Sequence, residues 1–334
     1  MKNQSNQHLF NAKIIGTGCY VPDRILTNAE LEKMVETSDE WITTRTGIKE
    51  RHIAAEGEAV SHMSAKASER ALDMAGLKSS DLDMIIVGTF SGDLILPATA
   101  CFLQKHLGIT DIPAFDLAAA CTGFVYSLAI AKQFVSTGCY KNILVVGSDK
   151  LTAYTDWSDR NTCILFGDGA GAAIVSRDGD GPVVGQFLLG AKGELAHLVH
   201  IPVGGSLVPF TEKNAGEHGQ FMKMEGRELF KFAVQKMEEG VRKALEAENL
   251  TLDDIKYIVP HQANVRILQA VAKNLGVNPD KIYSNLEKYG NTSAASTPIC
   301  LDELVRTKKF TKGDKIVLVA FGGGFTYGSC ILEW

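Results

Sequence analysis

The sequence contains no CxxC pair and no Cys/His cluster with zinc spacing. Its seven cysteines are Cys19, Cys101, Cys121, Cys139, Cys163, Cys300 and Cys330, an odd and scattered set. That excludes a metal ribbon and a complete disulfide framework, and suits free thiols in a reducing cytoplasm. No uncharged apolar run reaches the roughly 20 residues of a membrane span. The run from 117 to 131, closed by Asp116 and Lys132, is shorter and reads as a helix in the centre of a large core. Residues 1–13 are polar, without the apolar stretch of a signal peptide. Neither sign of charge dominates. A net charge of −5 gives no general attraction for nucleic acid or an anionic membrane, so an acidic partner would need a local basic patch. What remains is the composition of a soluble globular chain. It has 334 residues, 45% hydrophobic and 22% charged, with 32 glycines, enough for two ordinary domains or one large duplicated one.

The chain carries a copy of part of itself. Arg70-Ala71-Leu72 leads through Leu77 to Asp81-Leu82-Asp83-Met84-Ile85-Ile86. At a constant offset, Lys243-Ala244-Leu245 leads through Leu250 to Asp254-Ile255-Lys256-Tyr257-Ile258-Val259. Each copy continues into a second helix closed by Leu107-Gly108 or Leu275-Gly276, then a strand at 114–117 or 281–284. Buried strands are expected at 141–147 and 315–321, and an amphipathic helix over 228–245. A period of half the chain is too long for a solenoid and implies a duplicated α/β unit. The glycine-rich stretch 179–219 marks the junction, giving halves of 1–180 and 181–334 packed as one body of alternating helix and sheet layers.

Three side chains stand at strand ends or helix starts, where α/β folds collect ligands. Cys121 lies in Ala118-Ala119-Ala120-Cys121-Thr122-Gly123, an apolar strand entering a helix. A helix N-terminus favours thiolate, and small neighbours leave the sulfur room. The same segment also fits an inert core cysteine. Overlaying the halves sets Cys121 opposite Asn291, in Gly290-Asn291-Thr292-Ser293, and Gly88 opposite His261, in Pro260-His261-Gln262-Ala263-Asn264. Singly, a histidine after a buried strand and an asparagine beside glycine read as structural. Jointly they read as a site. Gly322-Gly323-Gly324 follows a buried strand and lets backbone approach a ligand, its N–H groups available to an oxyanion. No P-loop Lys-Ser/Thr follows, which argues against phosphate. Gly167-Asp168-Gly169-Ala170-Gly171-Ala172 precedes strand-like sequence and reads as a structural hairpin.

At these residues the chain resembles the β-ketoacyl-acyl-carrier-protein synthase III family. The resemblance extends to Ile15-Gly16-Thr17-Gly18, Ser38-Asp39-Glu40-Trp41-Ile42, Thr44-Arg45-Thr46-Gly47-Ile48 and Phe321-Gly322-Gly323-Gly324-Phe325, and covers nearly the whole chain. It implies a thiolase-like αβαβα layered sandwich of two duplicated halves, a homodimer, and no metal or redox cofactor. The implied reaction is decarboxylative Claisen condensation of a short acyl-CoA with malonyl-acyl-carrier protein. Cys121 would carry the acyl group, His261 and Asn291 would hold the enolate oxygen, and the N–H groups of Cys121 and Gly323 would form the oxyanion hole. By the same resemblance Trp41, Arg45, Thr46, Arg160 and Asn264 would bind CoA, and Arg266 and Lys273 would dock the carrier protein. Leu96, in Leu94-Ile95-Leu96-Pro97, would contribute to the acyl pocket across the dimer. Arg227 receives no role. A secondary-metabolite starter enzyme shares these features. Papain-like cysteine proteases use Cys, His and Asn in the same chain order but have no place for the duplication.

Overall fold

The structure is a computed structural model that describes residues 9–334. Nine strands form its main sheet. They are β1 (Lys13–Tyr20), β2 (Met84–Gly88), β3 (Ala114–Leu117), β4 (Asn142–Lys150), β5 (Asp168–Ser176), β6 (Val183–Gly190), β7 (Ile255–Pro260), β8 (Lys315–Gly322) and β9 (Thr326–Glu333). The spatial order is β3-β2-β4-β5-β1-β6-β9-β8-β7. Read outward from the centre, each half repeats one pattern. β1, β5, β4 and β2 correspond to β6, β9, β8 and β7, with antiparallel pairs near the seam and a parallel pair beyond. The seam is a single residue pair, Lys13 with Val183, so the sheet folds over there into two layers.

The helices repeat as well. α1 (Asp39–Thr46) belongs to an insertion. α2 (Val60–Ala75), α3 (Thr99–His106) and α4 (Gly123–Ser136) are matched by α5 (Gly226–Ala247), α6 (Val265–Leu275) and α7 (Ser296–Thr307). Side-chain alternation along the strands sets the layers. On β2, Met84 and Ile86 face the central core with Phe124 and Leu128 of α4, while Ile85 and Val87 face α2 and α3. On β8, Ile316 and Leu318 join the same central core, with Leu301 and Leu304 of α7, while Val317 and Val319 face α5 and α6. Strands buried on both faces must be continuously apolar, which is how both read in sequence. The result is helix, sheet, helix, sheet, helix.

Three expectations need correction. The strand expected at 281–284 is a single bridge, Ile282 to Ile258, after a 3-10 turn over Pro279–Lys281, so the second half lacks a full outer strand. The Gly167–Ala172 motif is not a hairpin turn. Residues from Asp168 onward are the first part of β5, and a Cβ on Gly171 would meet Pro298 of α7 at 2.7 Å. Lastly, Cys121 does not correspond to Asn291. Two 3-10 turns, Ala120–Thr122 and Ser293–Ala295, precede the matched helices α4 and α7. Each opens on a non-glycine residue at positive φ, Ala120 at 46° and Ser293 at 51°. This alignment sets Cys121 against Ala294.

The second turn packs directly on a glycine of β4. A Cβ on Gly147, in β4, would lie inside the contact distance of the Ala294 carbonyl oxygen. Gly147→Ala should therefore displace the second turn. We expect condensation to fall by an order of magnitude or more with a thermal midpoint lowered by several degrees. Normal activity and midpoint in this variant would show that the turn has slack.

Candidate active site

Cys121 sits in the first turn, ahead of α4 and not within it. Thr122 holds the turn by donating to the Ala119 carbonyl through both its N–H (3.1 Å) and its hydroxyl (2.6 Å). Gly322 lets β8 pass close by, since a Cβ there would lie 2.7 Å from the Cys121 nitrogen. The backbone N–H groups of Cys121 and Gly323 both favour negative charge on Sγ. Ser293 donates from its hydroxyl to Sγ at 3.5 Å. Despite these donors, burial dominates and pushes the thiol up to about 12, with the buried carboxylate of Asp149 adding to the rise. The expectation of a favoured thiolate is thus reversed for the resting enzyme. A helix terminus is worth about 0.3–1 kcal/mol, whereas desolvation moves a buried group by several pH units.

His261 follows β7 and is 2% exposed. Its N–H donates to the Val319 carbonyl at 2.8 Å. Its Nδ1 meets the Ser296 hydroxyl at 2.6 Å, and that oxygen also receives the Gln262 N–H at 3.4 Å. Donation from Ser296 to Nδ1 is the arrangement that gives the buried hydroxyl proton an acceptor among the described residues, and it puts the imidazole proton on Nε2. Burial depresses the imidazole to about 3, so it is a neutral donor at physiological pH. Asn291 is fixed just as closely. Its backbone bridges the segment before β5 through Leu165 O (2.8 Å) and Gly167 N (3.0 Å), and its Oδ1 accepts the Ser293 N–H at 2.9 Å. That leaves Nδ2, a donor, for the pocket. Asn291 therefore does not orient His261, and an imidazole this hard to protonate is a weak base. Both facts disfavour the hydrolase arrangement.

Cys121, His261, Asn291, Ser293 and Gly323 border one cavity of about 700 Å³. One apolar cluster, Phe90, Leu151, Phe166, Met222 and Met224, contributes to its wall. At the exposed end stand Trp41, Arg45 and Arg266. The guanidinium carbons of Arg45 and Arg160 lie 4.4 and 5.2 Å from the centre of the Trp41 ring, and Arg160 donates to the Glu36 carbonyl. This is a flat aromatic surface flanked by two cations. Asn264 borders the cavity and caps α6 by accepting the Arg266 N–H. Thr46 also borders it, but its hydroxyl donates to Ile42 O and accepts from Ile48 N, ending α1. Lys273 is exposed two turns along α6 from Arg266. Leu96 is 82% exposed beside Ile95 at 97% and lines no part of the cavity within one chain.

Sequence reasoning missed Ser293, Ser296 and Asp149. Asp149 is fully buried at the end of β4. Its Oδ1 accepts from Thr89, Phe90 N and both Ser91 donors, and its Oδ2 from Ala294 N. A charged residue closing the run Ile143-Leu144-Val145-Val146 was the signal available for it. Among the described residues no cluster of His, Cys, Asp and Glu has the geometry of a metal site, and no helix is long and apolar enough to cross a membrane.

Comparison with known proteins bears on the same residues. A family profile described as 3-Oxoacyl-[acyl-carrier-protein (ACP)] synthase III matches residues 115–193, which hold Cys121. Its C-terminal companion matches 245–334, which hold His261, Asn291 and the glycine run. The chain is 51% identical over 323 residues to the beta-ketoacyl-[acyl-carrier-protein] synthase III of Caldanaerobacter subterraneus subsp. tengcongensis, covering 97% of this chain and 98% of the relative. It superposes on the crystal structure of 3-oxoacyl-[acyl-carrier-protein] synthase III from Aquifex aeolicus VF5 with a TM-score of 0.89, at 46% identity over 97% of this chain and all of that one. The priming beta-ketosynthase of the R1128 polyketide biosynthetic pathway superposes with a TM-score of 0.91, at 33% identity over 99% of both chains. Likeness of this extent, along the whole duplicated sandwich, makes the chain a member of the 3-oxoacyl-[acyl-carrier-protein] synthase III family.

Proposed function

We propose that this chain starts fatty acid synthesis by condensing an acyl-CoA primer with malonyl-acyl-carrier protein. The observation that carries the reading is one nucleophile facing two side chains held as hydrogen-bond donors, Nε2 of His261 and Nδ2 of Asn291, in a single buried pocket. In the first half-reaction Sγ of Cys121 attacks the thioester carbonyl. The N–H groups of Cys121 and Gly323 stabilise the tetrahedral oxyanion, the C–S bond to CoA breaks, and the thiol proton ends on the CoA sulfur. In the second, the malonyl carboxylate leaves as carbon dioxide. The electron pair is held as an enolate whose oxygen accepts from His261 and Asn291. The carbanion attacks the acyl-Cys carbonyl, the Cys121 thiolate departs and takes a proton from solvent, and 3-oxoacyl-acyl-carrier protein is released. Every electron pair moved belongs to the Cys121 sulfur, to a thioester or to the malonyl carboxylate, so the chemistry calls for no redox or metal cofactor.

Trp41, Arg45 and Arg160 fit the adenine and phosphates of CoA, with Thr46 and Asn264 beside them. Arg266 and Lys273 form the local basic patch an acidic carrier requires of an acidic chain. The exposed run Leu94-Ile95-Leu96 fits burial against a second copy, placing Leu96 at the acyl pocket of the neighbouring subunit. The division at residue 180 falls just before β6, and the enzyme is taken to work in the cytoplasm. A starter role in polyketide synthesis is the second reading, favoured by the likeness to the R1128 priming enzyme.

Incubation with a panel of acyl-CoAs, followed by intact mass and peptide mapping, tests the reading directly. An acyl increment on Cys121 supports it and names the primer. No adduct from any acyl-CoA would remove the priming role. Arg266→Glu should raise KM for the carrier-protein substrate on the order of tenfold at low salt and leave KM for acyl-CoA unchanged. Equal KM values in the variant and the parent would return Arg266 to an ordinary solvated charge.

A further inference from the structure

The nucleophile poses a problem that the proposed mechanism leaves open. Burial holds Cys121 as a thiol, yet the attacking species is the thiolate. Among the described residues, the side-chain hydrogen bond to Sγ comes from Ser293, at 3.5 Å. Ser293 is 1% exposed and sits at φ 51°, in the left-handed region that a non-glycine residue occupies only when its surroundings enforce it. Two contacts enforce it. The Ser293 N–H is tied to Asn291 Oδ1 at 2.9 Å, and the next N–H, of Ala294, is tied to Asp149 Oδ2 at 3.2 Å. Asp149 is in turn immobilised by the donors of Thr89, Phe90 and Ser91. The strained turn thus aims one hydroxyl from the second half at the sulfur of the first.

We infer that the Ser293 hydroxyl, aimed by the turn that Asp149 anchors, is the side-chain donor that stabilises the Cys121 thiolate during acyl transfer. The inference rests on Cys121 being the acyl carrier. The hydroxyl keeps its proton throughout, donating to the sulfur as the thiol proton passes to solvent, from which the departing CoA sulfur takes one back. Among the described residues, Asp149 and His261 are the titratable groups that bear on this site. Asp149, at the end of β4, opposes ionisation by its charge and competes for the same hydroxyl proton. His261, after β7, is neutral and faces the same cavity. Ser293 offsets the first of these and spares the second for the malonyl half-reaction.

The test is the pH dependence of Cys121 alkylation by iodoacetamide, read by mapped mass, together with the rate of acyl-Cys formation from acetyl-CoA. The parent, Ser293→Ala and Ser293→Gly are compared. Alanine keeps the left-handed strain and glycine relieves it, while both remove the hydroxyl. Both variants should move the alkylation profile up by about one pH unit and form acyl-Cys about tenfold more slowly at a fixed pH, because a hydrogen bond to a charged group is worth that much. Malonyl decarboxylation should stay within about twofold of the parent. An unmoved profile in both variants would overturn the inference. So would a slow alanine variant beside a normal glycine variant, which would assign the effect to backbone strain. If the parent alkylates at Cys121 but takes no acyl group from acetyl-CoA or any other acyl-CoA, the proposed function fails, and the alkylation profiles still decide the role of Ser293.

Discussion

Cys121→Ser should abolish acyl transfer while the protein melts where the parent does. The two side chains differ by one atom. Serine at this position keeps the backbone N–H proposed for the oxyanion, keeps the turn tied by Thr122 to Ala119, and leaves the apolar pocket wall in place. What changes is the nucleophile. A serine hydroxyl needs a strong adjacent base, and none stands here: His261 is a neutral donor bound at Nδ1 by Ser296, and Ser293 points a donor, not an acceptor, at the position. We expect a loss of roughly 10³-fold or more in acyl-enzyme formation. Rapid-quench mass analysis with acetyl-CoA measures it, beside a thermal melt as control. Condensation at the parent rate by a folded serine variant would refute the assignment of the nucleophile.

The second large effect separates the two halves of the reaction. His261→Ala and Asn291→Ala each remove one of the two donors proposed for the enolate oxygen without touching the N–H groups of Cys121 and Gly323. A donor aimed at developing negative charge in a water-poor site is worth on the order of 10²–10³ in rate. Decarboxylation of malonyl-acyl-carrier protein should fall by that much in either variant, and acyl-Cys formation should change only a few-fold. Both half-reactions falling together would contradict this division of labour. The parent enzyme offers an independent check through pH. A histidine with its ordinary pKa near 6.5 would gain charge as pH falls from 8 to 5. His261 is depressed to about 3, so it stays neutral across that range, and its donor strength is constant. Radiolabelled carbon dioxide release from the parent should be flat from pH 8 to 5 in so far as His261 governs it. A fall centred near 6.5 that disappears in His261→Ala would show that the imidazole titrates.

The features legible in the sequence were those that repeat or that end an element. The copied helix–strand stretch announced the two halves because burial on both faces leaves a continuous apolar signature in β2, β4, β7 and β8. Cys121, His261 and Asn291 could be picked out because each closes or opens an element in that frame, and the structure brings all three to one cavity. The finer pairing was not legible. Cys121 was set against Asn291 by motif position, whereas the turns align it with Ala294, because both turns take a left-handed residue without glycine and leave no mark in composition. The protonation state of Cys121 is not legible locally, for a different reason. Local sequence shows a helix start but not how much of the protein will cover the sulfur. Asp149 and Ser293 act through contacts across 145 and 172 positions of chain, which no local pattern encodes.

The matched turns at 120–122 and 293–295 have a consequence for how such a centre can arise at all. Two identical chains facing each other across a dyad must place the same side chain on both turns: two sulfurs or none. Carrying both turns on one polypeptide lifts that constraint, so one turn presents Cys121 while the other presents Ser293 and Ala294. Fusion of the halves thus permits a division of roles that identical dyad-related partners are forbidden, with the buried Ala294 packed where symmetry would demand a second sulfur.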